Sequence, residues 1–412
     1  MAEIIPFRGI LYNTSKVAAG DVLAPPYDII TPAYQKDLYN KSSHNIVRID
    51  FGMEHSGDTE NENKYTRARQ YLDEWRREGV LVRSEHPSFY AYEISYTVDG
   101  HDRKLLGFLG LVRLEELGKG NIFPHECTYS KPKLDRLNLL RFCRANISPI
   151  FSLYKSPAKR ASSILSIIAG KSPYFEARDD AGAVHRLWQI KDQEQISIIQ
   201  EDLRDKKIFI ADGHHRYETA FEYQRESRES HPLSSGAGSA DYVMMFLANM
   251  ADEGLTILPT HRLIKEFPED IGKFSEYFDF EPVVTDFDIT RRLSGRRYTY
   301  GFFRNNEAGW QVLRYKGLDF TEIHPDLRDI DVIILHDLIL KKLFGISDIG
   351  YEMDVGKTLE NVRNGQFQAA FFLNPTRVED VEKAALSAVR MPPKSTYFYP
   401  KLLTGVVINC FE

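Results

Sequence analysis

The sequence predicts a mixed α/β protein with one larger and one smaller region, and three observations predict it. Tyr65, Ala68, Tyr71, Leu72 and Trp75 lie at helical spacing, with Gly79 placed to end the helix. Two aromatic-rich runs between Ser88 and Leu114 flank Asp99-Gly100, a dipeptide that tolerates the positive φ of a tight hairpin. A short apolar run over 206–211 passes through Asp212-Gly213 into a helical pattern.

The 412 residues, 42% of them hydrophobic, suffice to bury a large core in two or three domains. The net charge of -6 is spread with both signs mixed along the chain, which gives no general attraction to nucleic acid or anionic lipid. The N-terminus lacks a basic stretch followed by an apolar one, and no run approaches the roughly 20 apolar residues that span a bilayer, so a cytoplasmic protein is expected. Cys127, Cys143 and Cys410 match no zinc spacing and are expected to be structural.

Taken in order, Ala24-Pro25-Pro26-Tyr27-Asp28 is a rigid turn, because proline locks its own backbone and extends its predecessor. A short strand is expected around Ile46 to Phe51, a helix over 65–78, and the hairpin over 88–114. After turns at Gly118 and Gly120 come Phe123-Pro124-His125-Glu126 and a basic helix from about Lys133 to Ala145, carrying Lys133, Arg136, Arg141 and Arg144. Arg141 and Arg144 are i, i+3 neighbours whose repulsion calls for an anionic partner. A helix over 158–168 and a hairpin over 174–190 follow, then a helix capped by Asp192 that runs to Asp205. The 206–211 strand leads to a helix ending near Ser230, the 234–239 tract is a loop, and 242–250 is apolar enough to be buried. Beyond Pro259-Thr260-His261-Arg262 short helices and strands alternate, with helices at 330–344 and 378–389 and a strand at 369–373. The expected division is a main domain over 1–260, a smaller α/β domain over 261–390, and a segment over 391–412 that returns to the main domain. No internal repeat is visible.

The strand-turn-helix around Asp212 carries the chemistry. A strand ending at Asp212, a glycine that permits close backbone approach, and a helix opening around Tyr217-Glu218-Thr219-Ala220 set amide groups beside the positive end of a helix dipole. That is an anion site, to which His214, His215 and Arg216 add donors, the guanidinium with a bidentate grip. Asp212 either caps the helix or acts as a Mg²⁺ ligand or proton acceptor, and the clustering of titratable groups favours a working role. Zinc at the two histidines is disfavoured, because adjacent helical residues point about 100° apart. An ordinary P-loop is excluded: Gly170-Lys171-Ser172 has Leu165 where the first glycine belongs, and Gly350 lies one residue too far from Gly356-Lys357-Thr358.

Ile210-Ala211-Asp212-Gly213-His214-His215-Arg216-Tyr217-Glu218-Thr219-Ala220 closely resembles the signature of the bacterial and archaeal family "domain of unknown function 1015". The likeness extends to Ala24-Pro25-Pro26-Tyr27-Asp28, Pro124-His125-Glu126, Arg144-Ala145-Asn146, Ser148-Pro149-Ile150-Phe151, Leu258-Pro259-Thr260-His261-Arg262 and the stretch from Pro393 to Gly405, covering nearly the whole chain. The Asp-Gly-His-His-Arg box is in turn similar to the nucleotide-binding box of the ParB and sulfiredoxin superfamily, which includes free-serine kinases. The resemblance implies a ParB/sulfiredoxin-like nucleotide-binding core, with Asp212, His214 and His215 around the transferred phosphate, Gly213 and Arg216 completing the box, and a separate glutamate acting on the serine hydroxyl. Sulfiredoxin chemistry is not implied, because His214 stands where that enzyme has a cysteine.

Glu126, just before the basic helix, is the candidate for that glutamate, with a salt bridge to Lys131 or Arg136 as the plainer alternative. Lys131, Lys133, Arg136, Arg144, Lys394, Ser395, Thr396 and Lys401 are candidate phosphate contacts. The function implied is a magnesium-assisted kinase that moves a phosphoryl group from ATP, ADP or pyrophosphate to a small hydroxyl compound, free L-serine first, giving O-phosphoserine. The alternative is a ParB-like nucleotide-binding regulator or DNA-binding protein without turnover, against which the acidic charge weighs. The partners expected are a small-molecule substrate and, at most, a second copy of the chain.

Overall fold

Asp99 and Gly100 adopt the paired left-handed φ values of 49° and 75° that a two-residue hairpin demands, and the strands they join, Phe89–Val98 and His101–Arg113, form the centre of the larger sheet. The structure is a computed structural model and describes residues 2–126, 130–230, 238–268, 272–283, 289–305, 310–317, 321, 323–387 and 389–411. The fold is mixed α/β. It comprises two units: Met1–Pro124, Thr128–Leu255 and Pro400–Glu412 form the first, and His125–Cys127 with Thr256–Tyr399 the second. The chain passes out of the first unit at Leu255 and re-enters it at Pro400, later than the return at 391 that the sequence suggests.

In the first unit the sheet runs in the order Ile122–Phe123, Ile208–Asp212, Ile150–Tyr154, Tyr242–Asn249, His101–Arg113, Phe89–Val98, Val184–Ile190, Phe175–Arg178, with Ile4–Ile5 paired to His101–Arg113. Tyr242–Asn249 is buried at every residue, as a strand covered on both faces must be, and it runs parallel to Ile150–Tyr154. Ile208–Asp212 joins Ile150–Tyr154 antiparallel, which places the Asp212 turn at one end of the sheet's interior strands. The core beneath includes Phe89, Phe108, Ile150, Tyr154, Ile208, Ile210, Tyr217 and Met245.

The expected helix over 65–78 is Lys64–Arg77, opened by a capping box in which Asn63 accepts from Thr66 N–H and the Thr66 hydroxyl accepts from Asn63 N–H. Asp192 caps Gln193–Leu203 through Gln195 N–H. The strand expected around Ile46 to Phe51 is instead a short helix, Val47–Asp50. Asn45 decides this: its side chain ties Asp21 and Leu23 carbonyls and accepts from Val47 N–H, so it nucleates a turn where apolarity alone suggested a strand.

The second unit has its own antiparallel sheet, ordered Phe278–Pro282, Trp310–Tyr315, Thr299–Arg304, Ala369–Phe372, His261–Ile264, Ile349–Glu352, and its own core around Leu263, Val312, Val362 and Phe372. The helix expected over 330–344 spans Asp331–Ile333 and Ile334–Leu343, the latter part widened to i→i+5 bonding. Gly356-Lys357-Thr358 lies inside the helix Val355–Arg363, with Lys357 N–H capped by Asp354, so it forms no phosphate loop. Among the described residues no helix is long and apolar enough to cross a membrane. Cys143 and Cys410 are free thiols, and burial pushes Cys143 up to about 12 and raises Cys410; Cys127 lies outside the described residues.

Candidate anion-binding site

The strand that delivers Asp212 breaks register against Ile150–Tyr154 between Ile210 and Asp212. A bulge there turns the chain and re-aims the next side chain. Gly213 follows with φ 93° and the helix His214–Ser230 starts at once, so His214, His215 and Arg216 form its first turn. The sequence pattern suggested a start nearer Tyr217; the earlier start puts the two histidines and the arginine among the amide groups that lack an i−4 carbonyl. His214 is buried, while His215 and Arg216 are half-buried.

Asp212 Oδ1 accepts from Gly213 N–H at 2.8 Å and its Oδ2 takes Lys401 Nζ at 2.9 Å, with the Lys401 side chain only 13% exposed. Gly213 is favoured by its positive φ, and a Cβ there would stand 2.9 Å from Arg216 Nε, so that the flexible arginine side chain would have to shift. The Arg216 guanidinium lies back over the glycine, donates from Nη1 to the Pro149 carbonyl, and borders a cavity of about 30 Å³ shared with Asp50, Arg136, Asn146 and Thr219.

Asp212 Oδ2 is taken by the Lys401 ammonium, and among the described residues no group of three His, Cys, Asp or Glu could hold a metal, so a magnesium ion at Asp212 would displace Lys401 and draw its other ligands from water and the donor's phosphates.

The basic helix, Ser130–Cys143, answers mostly to protein carboxylates. Lys133 pairs with Glu218 at 2.9 Å and Arg141 with Glu226, which supplies the anion Arg141 needs and ties this helix to His214–Ser230. Arg136, 5% exposed, takes Asp50 Oδ1 at 3.1 Å, the Asp50 carbonyl at 2.8 Å and Asp135 Oδ2 at 2.6 Å, with Tyr27 beneath it at 4.1 Å. Lys133 and Arg136 are therefore each paired with protein carboxylates. Arg144 is exposed, in a left-handed turn at φ 49°. The side chain of Lys131 lies outside the described residues.

Burial raises Asp50 despite Arg136 and Arg216 nearby, whereas at Asp135 the burial penalty is outweighed by Arg136 and Lys64, which bring it down to about 2. Tyr27, Asp50 and Asp135 are the residues that sequence reasoning missed. Asp135 was visible as the neighbour of Arg136, and Tyr27 as part of the Pro-Pro-Tyr-Asp turn. Asp50 was hidden by the strand assignment.

Glu126, Lys394, Ser395 and Thr396 belong to the second unit. Glu126 Oε1 accepts from Thr396 N–H at 3.0 Å and from the Thr396 hydroxyl at 2.8 Å, so its partner is Thr396 rather than Arg136. Ser395 is buried and donates to the Pro392 carbonyl at 2.7 Å, and Lys394 is exposed at φ 59°. The structure thus brings Lys401 to Asp212 in one unit and Thr396 to Glu126 in the other.

Residues 4–333 match the family described as "Protein of unknown function (DUF1015)". No curated protein matches. Solved structures similar to the chain include a conserved hypothetical protein from Pyrococcus furiosus (11% identity, covering 69% of this chain and 91% of that one, TM-score 0.35). They also include a free serine kinase in complex with AMP (10% identity, 71% and 98%, TM-score 0.35) and SbnI with a C-terminal truncation from Staphylococcus aureus (12% identity, 72% and 85%, TM-score 0.37). Likeness of that order bears on neither substrate nor reaction.

Proposed function

We propose that this chain, which belongs to the DUF1015 family, holds the phosphates of a nucleotide or of pyrophosphate at its Gly213–Arg216 turn and transfers a phosphoryl group to a small hydroxyl compound, free L-serine first. One observation carries the reading: the helix His214–Ser230 begins directly after a bulged strand and a positive-φ glycine, and its first turn consists of His214, His215 and Arg216. Amide groups and cationic side chains at such a terminus favour a multiply charged anion. Lys401, fixed on Asp212, adds an ammonium from the far end of the chain.

Phosphoryl transfer asks little beyond positioning and charge neutralisation, which such a set supplies. The acceptor oxygen bonds phosphorus, the bond from phosphorus to the donor's leaving oxygen breaks, and the hydroxyl proton passes to a general base. The choice of serine follows from the likeness of the Asp-Gly-His-His-Arg box to that of free-serine kinases.

Calorimetry with ATP, ADP and pyrophosphate on the wild type and Lys401→Met tests the binding half. The variant is expected to bind about 10 to 100 times more weakly, the worth of one charge-assisted hydrogen bond. Equal affinity, or no binding of any of the three to the wild type, refutes the assignment. Incubation with L-serine, magnesium and each donor in turn should yield O-phosphoserine; tight binding without product would favour a nucleotide-binding regulator instead.

A further inference from the structure

A cavity of about 240 Å³ lies wholly within the second unit. Thr299–Arg304 and Ala369–Phe372 are the two central strands of that unit's sheet and run antiparallel, with Gly301 opposite Phe372. The loop before the first strand and the loop after the second therefore leave the sheet at the same end, where they wall the cavity together with the turn at 329–332. Hydrogen bonds fix these walls. Asn374 Nδ2 donates to the Leu293 and Arg296 carbonyls at 2.8 and 3.0 Å, and the Tyr298 hydroxyl donates to Asp329 Oδ1 at 2.9 Å. Tyr298 is held at φ 56°, a left-handed conformation that costs a bulky residue energy and that its surroundings must maintain.

One charge in this cavity stands unbalanced. Arg377 grips Asp380 through Nε and Nη2 at 2.9 and 2.7 Å, Arg296 meets Glu281 at 3.0 Å, and Arg297 meets Asp329 at 3.4 Å. Asp331 lines the same cavity and has no ion pair among the described residues. Its Oδ1 accepts from Tyr298 N–H at 2.8 Å, and its Oδ2 has no hydrogen-bond partner among the described residues. Removing a carboxylate from water with a single amide donor is unfavourable, and burial raises the Asp331 pKa to about 6. An asparagine would accept the same bond from Tyr298 without that cost. The charge thus gives the fold nothing that an amide would not, and it is what an incoming cation would meet.

That cation is organic rather than metallic, because among the described residues no group of three His, Cys, Asp or Glu could hold a metal. It also meets anion donors. The Arg297 and Asp329 side chains are 44% and 48% exposed, and so open a pair is worth little, which leaves the guanidinium able to turn to a ligand anion. Arg377 commits Nε and Nη2 to Asp380 and has Nη1 to spare. We propose that this cavity binds a free amino acid, its ammonium on Asp331 Oδ2 and its carboxylate on Arg297 and Arg377. Drug-sized ligands occupy about 300 to 1,000 Å³, and a cavity slightly smaller than that suits a molecule of amino-acid size. Such binding involves the second unit alone and is independent of the phosphoryl-transfer reading.

The test is calorimetry on the full chain with glycine, L-serine, L-leucine, L-glutamate and L-lysine in turn, on the wild type, Asp331→Asn and Arg297→Gln. At least one amino acid should bind the wild type with a Kd of about 1 mM or below. Asp331→Asn keeps the acceptor for Tyr298 N–H and should bind that ligand about 10 to 100 times more weakly, the loss of one charge-assisted hydrogen bond. Arg297→Gln, on the open rim, should bind it about 3 to 10 times more weakly. Putrescine, which has ammonium groups and no carboxylate, and succinate, which has the reverse, should each bind at least about 10 times more weakly than the amino acid. No binding of any amino acid overturns the proposal, and so does putrescine or succinate as tight as the best of them. Undiminished affinity in Asp331→Asn also overturns it, because L-serine held by the first unit would be indifferent to that change. If Asp331→Asn does not fold, Arg297→Gln decides by the same criterion.

Discussion

Each unit buries one arginine close to its functional segments, and the two are solvated by the protein in opposite ways. Arg136 in the first unit lies between Asp50 and Asp135, over the Tyr27 ring; burial works against its charge, but the two carboxylates outweigh it and raise its pKa. Arg262 in the second unit is fully buried with no carboxylate partner among the described residues. It donates to the Thr260 and Lys394 carbonyls at 2.7 and 3.0 Å and lies 4.8 Å from the Tyr351 ring, while its Nε, Thr260 Oγ1 and His336 Nδ1 have no partner among the described residues. Burial pushes Arg262 down to about 10. The difference teaches that a cation is built into the first unit as scaffold, whereas in the second it serves to anchor backbone, at a standing electrostatic cost.

The largest effect should come from Arg136→Met. Removing this cation strands the fully enclosed Asp50, while Asp135 keeps Lys64, and breaking a buried pair from one side typically costs about 3 to 5 kcal/mol. Chemical denaturation followed by hydrogen exchange, which reports each unit separately, should show the loss in the first unit. A change below about 1 kcal/mol would break the comparison, because Arg136 would then be no better solvated than Arg262.

Next in size is an acid sensitivity of the second unit. Burial holds His261 and His336 down to about 3, so both are neutral when folded. Unfolded histidine titrates near about 6.5, so below that pH the unfolded chain binds protons that the folded one refuses. Their contribution is whole above about 6.5 and is lost as pH falls towards 3, about 2 kcal/mol each by pH 5. Asp331 opposes them: burial raises it to about 6, so its contribution is present below 3.8 and is lost as pH rises through 6. Hydrogen exchange at pH 7 and 5 should show the second unit weakening in the wild type. In the His261→Gln/His336→Gln double variant the loss should shrink or reverse sign; an unaltered slope would place the titration elsewhere.

Smaller again is Gly213→Ala, which the backbone alone penalises at φ 93° and which also crowds the Arg216 guanidinium. A loss of about 1 to 2 kcal/mol is expected, with weaker pyrophosphate binding because Arg216 must move. Unchanged stability and affinity would mean that the turn relaxes freely and that its geometry does not define the site.

Legibility in the sequence followed the range of the interactions. The Asp99-Gly100 hairpin, the Asp192 cap and the apolar strand before Asp212 rest on neighbours within a few residues, and each stands as read. The strand expected at Ile46 to Phe51 failed because Asn45 reaches back to Asp21 and Leu23, which no local pattern records. Lys401 and Asp212 were each singled out, yet the bond between them spans 189 residues, and that between Thr396 and Glu126 spans 270. Clustered charge was visible along the chain, but not which charges the protein pairs itself: Lys133 and Arg136, candidates for phosphate contacts, have Glu218, Asp50 and Asp135 beside them, and Arg141 has Glu226.

Arg262→Met should have the smallest effect on stability, about 1 kcal/mol or less, and it sharpens the comparison most. No buried carboxylate is left behind, a desolvated cation is removed, and methionine fills most of the volume; against this stand two carbonyls that lose a donor and a lost contact with Tyr351. Near-neutral stability should nevertheless accompany faster hydrogen exchange in the turn at Lys394, whose carbonyl Arg262 anchors. Equilibrium denaturation and hydrogen exchange on the same variant separate the two. A drop of about 3 kcal/mol would make Arg262 scaffold like Arg136, and unchanged exchange with intact stability would show that the Lys394 turn holds its shape without the guanidinium.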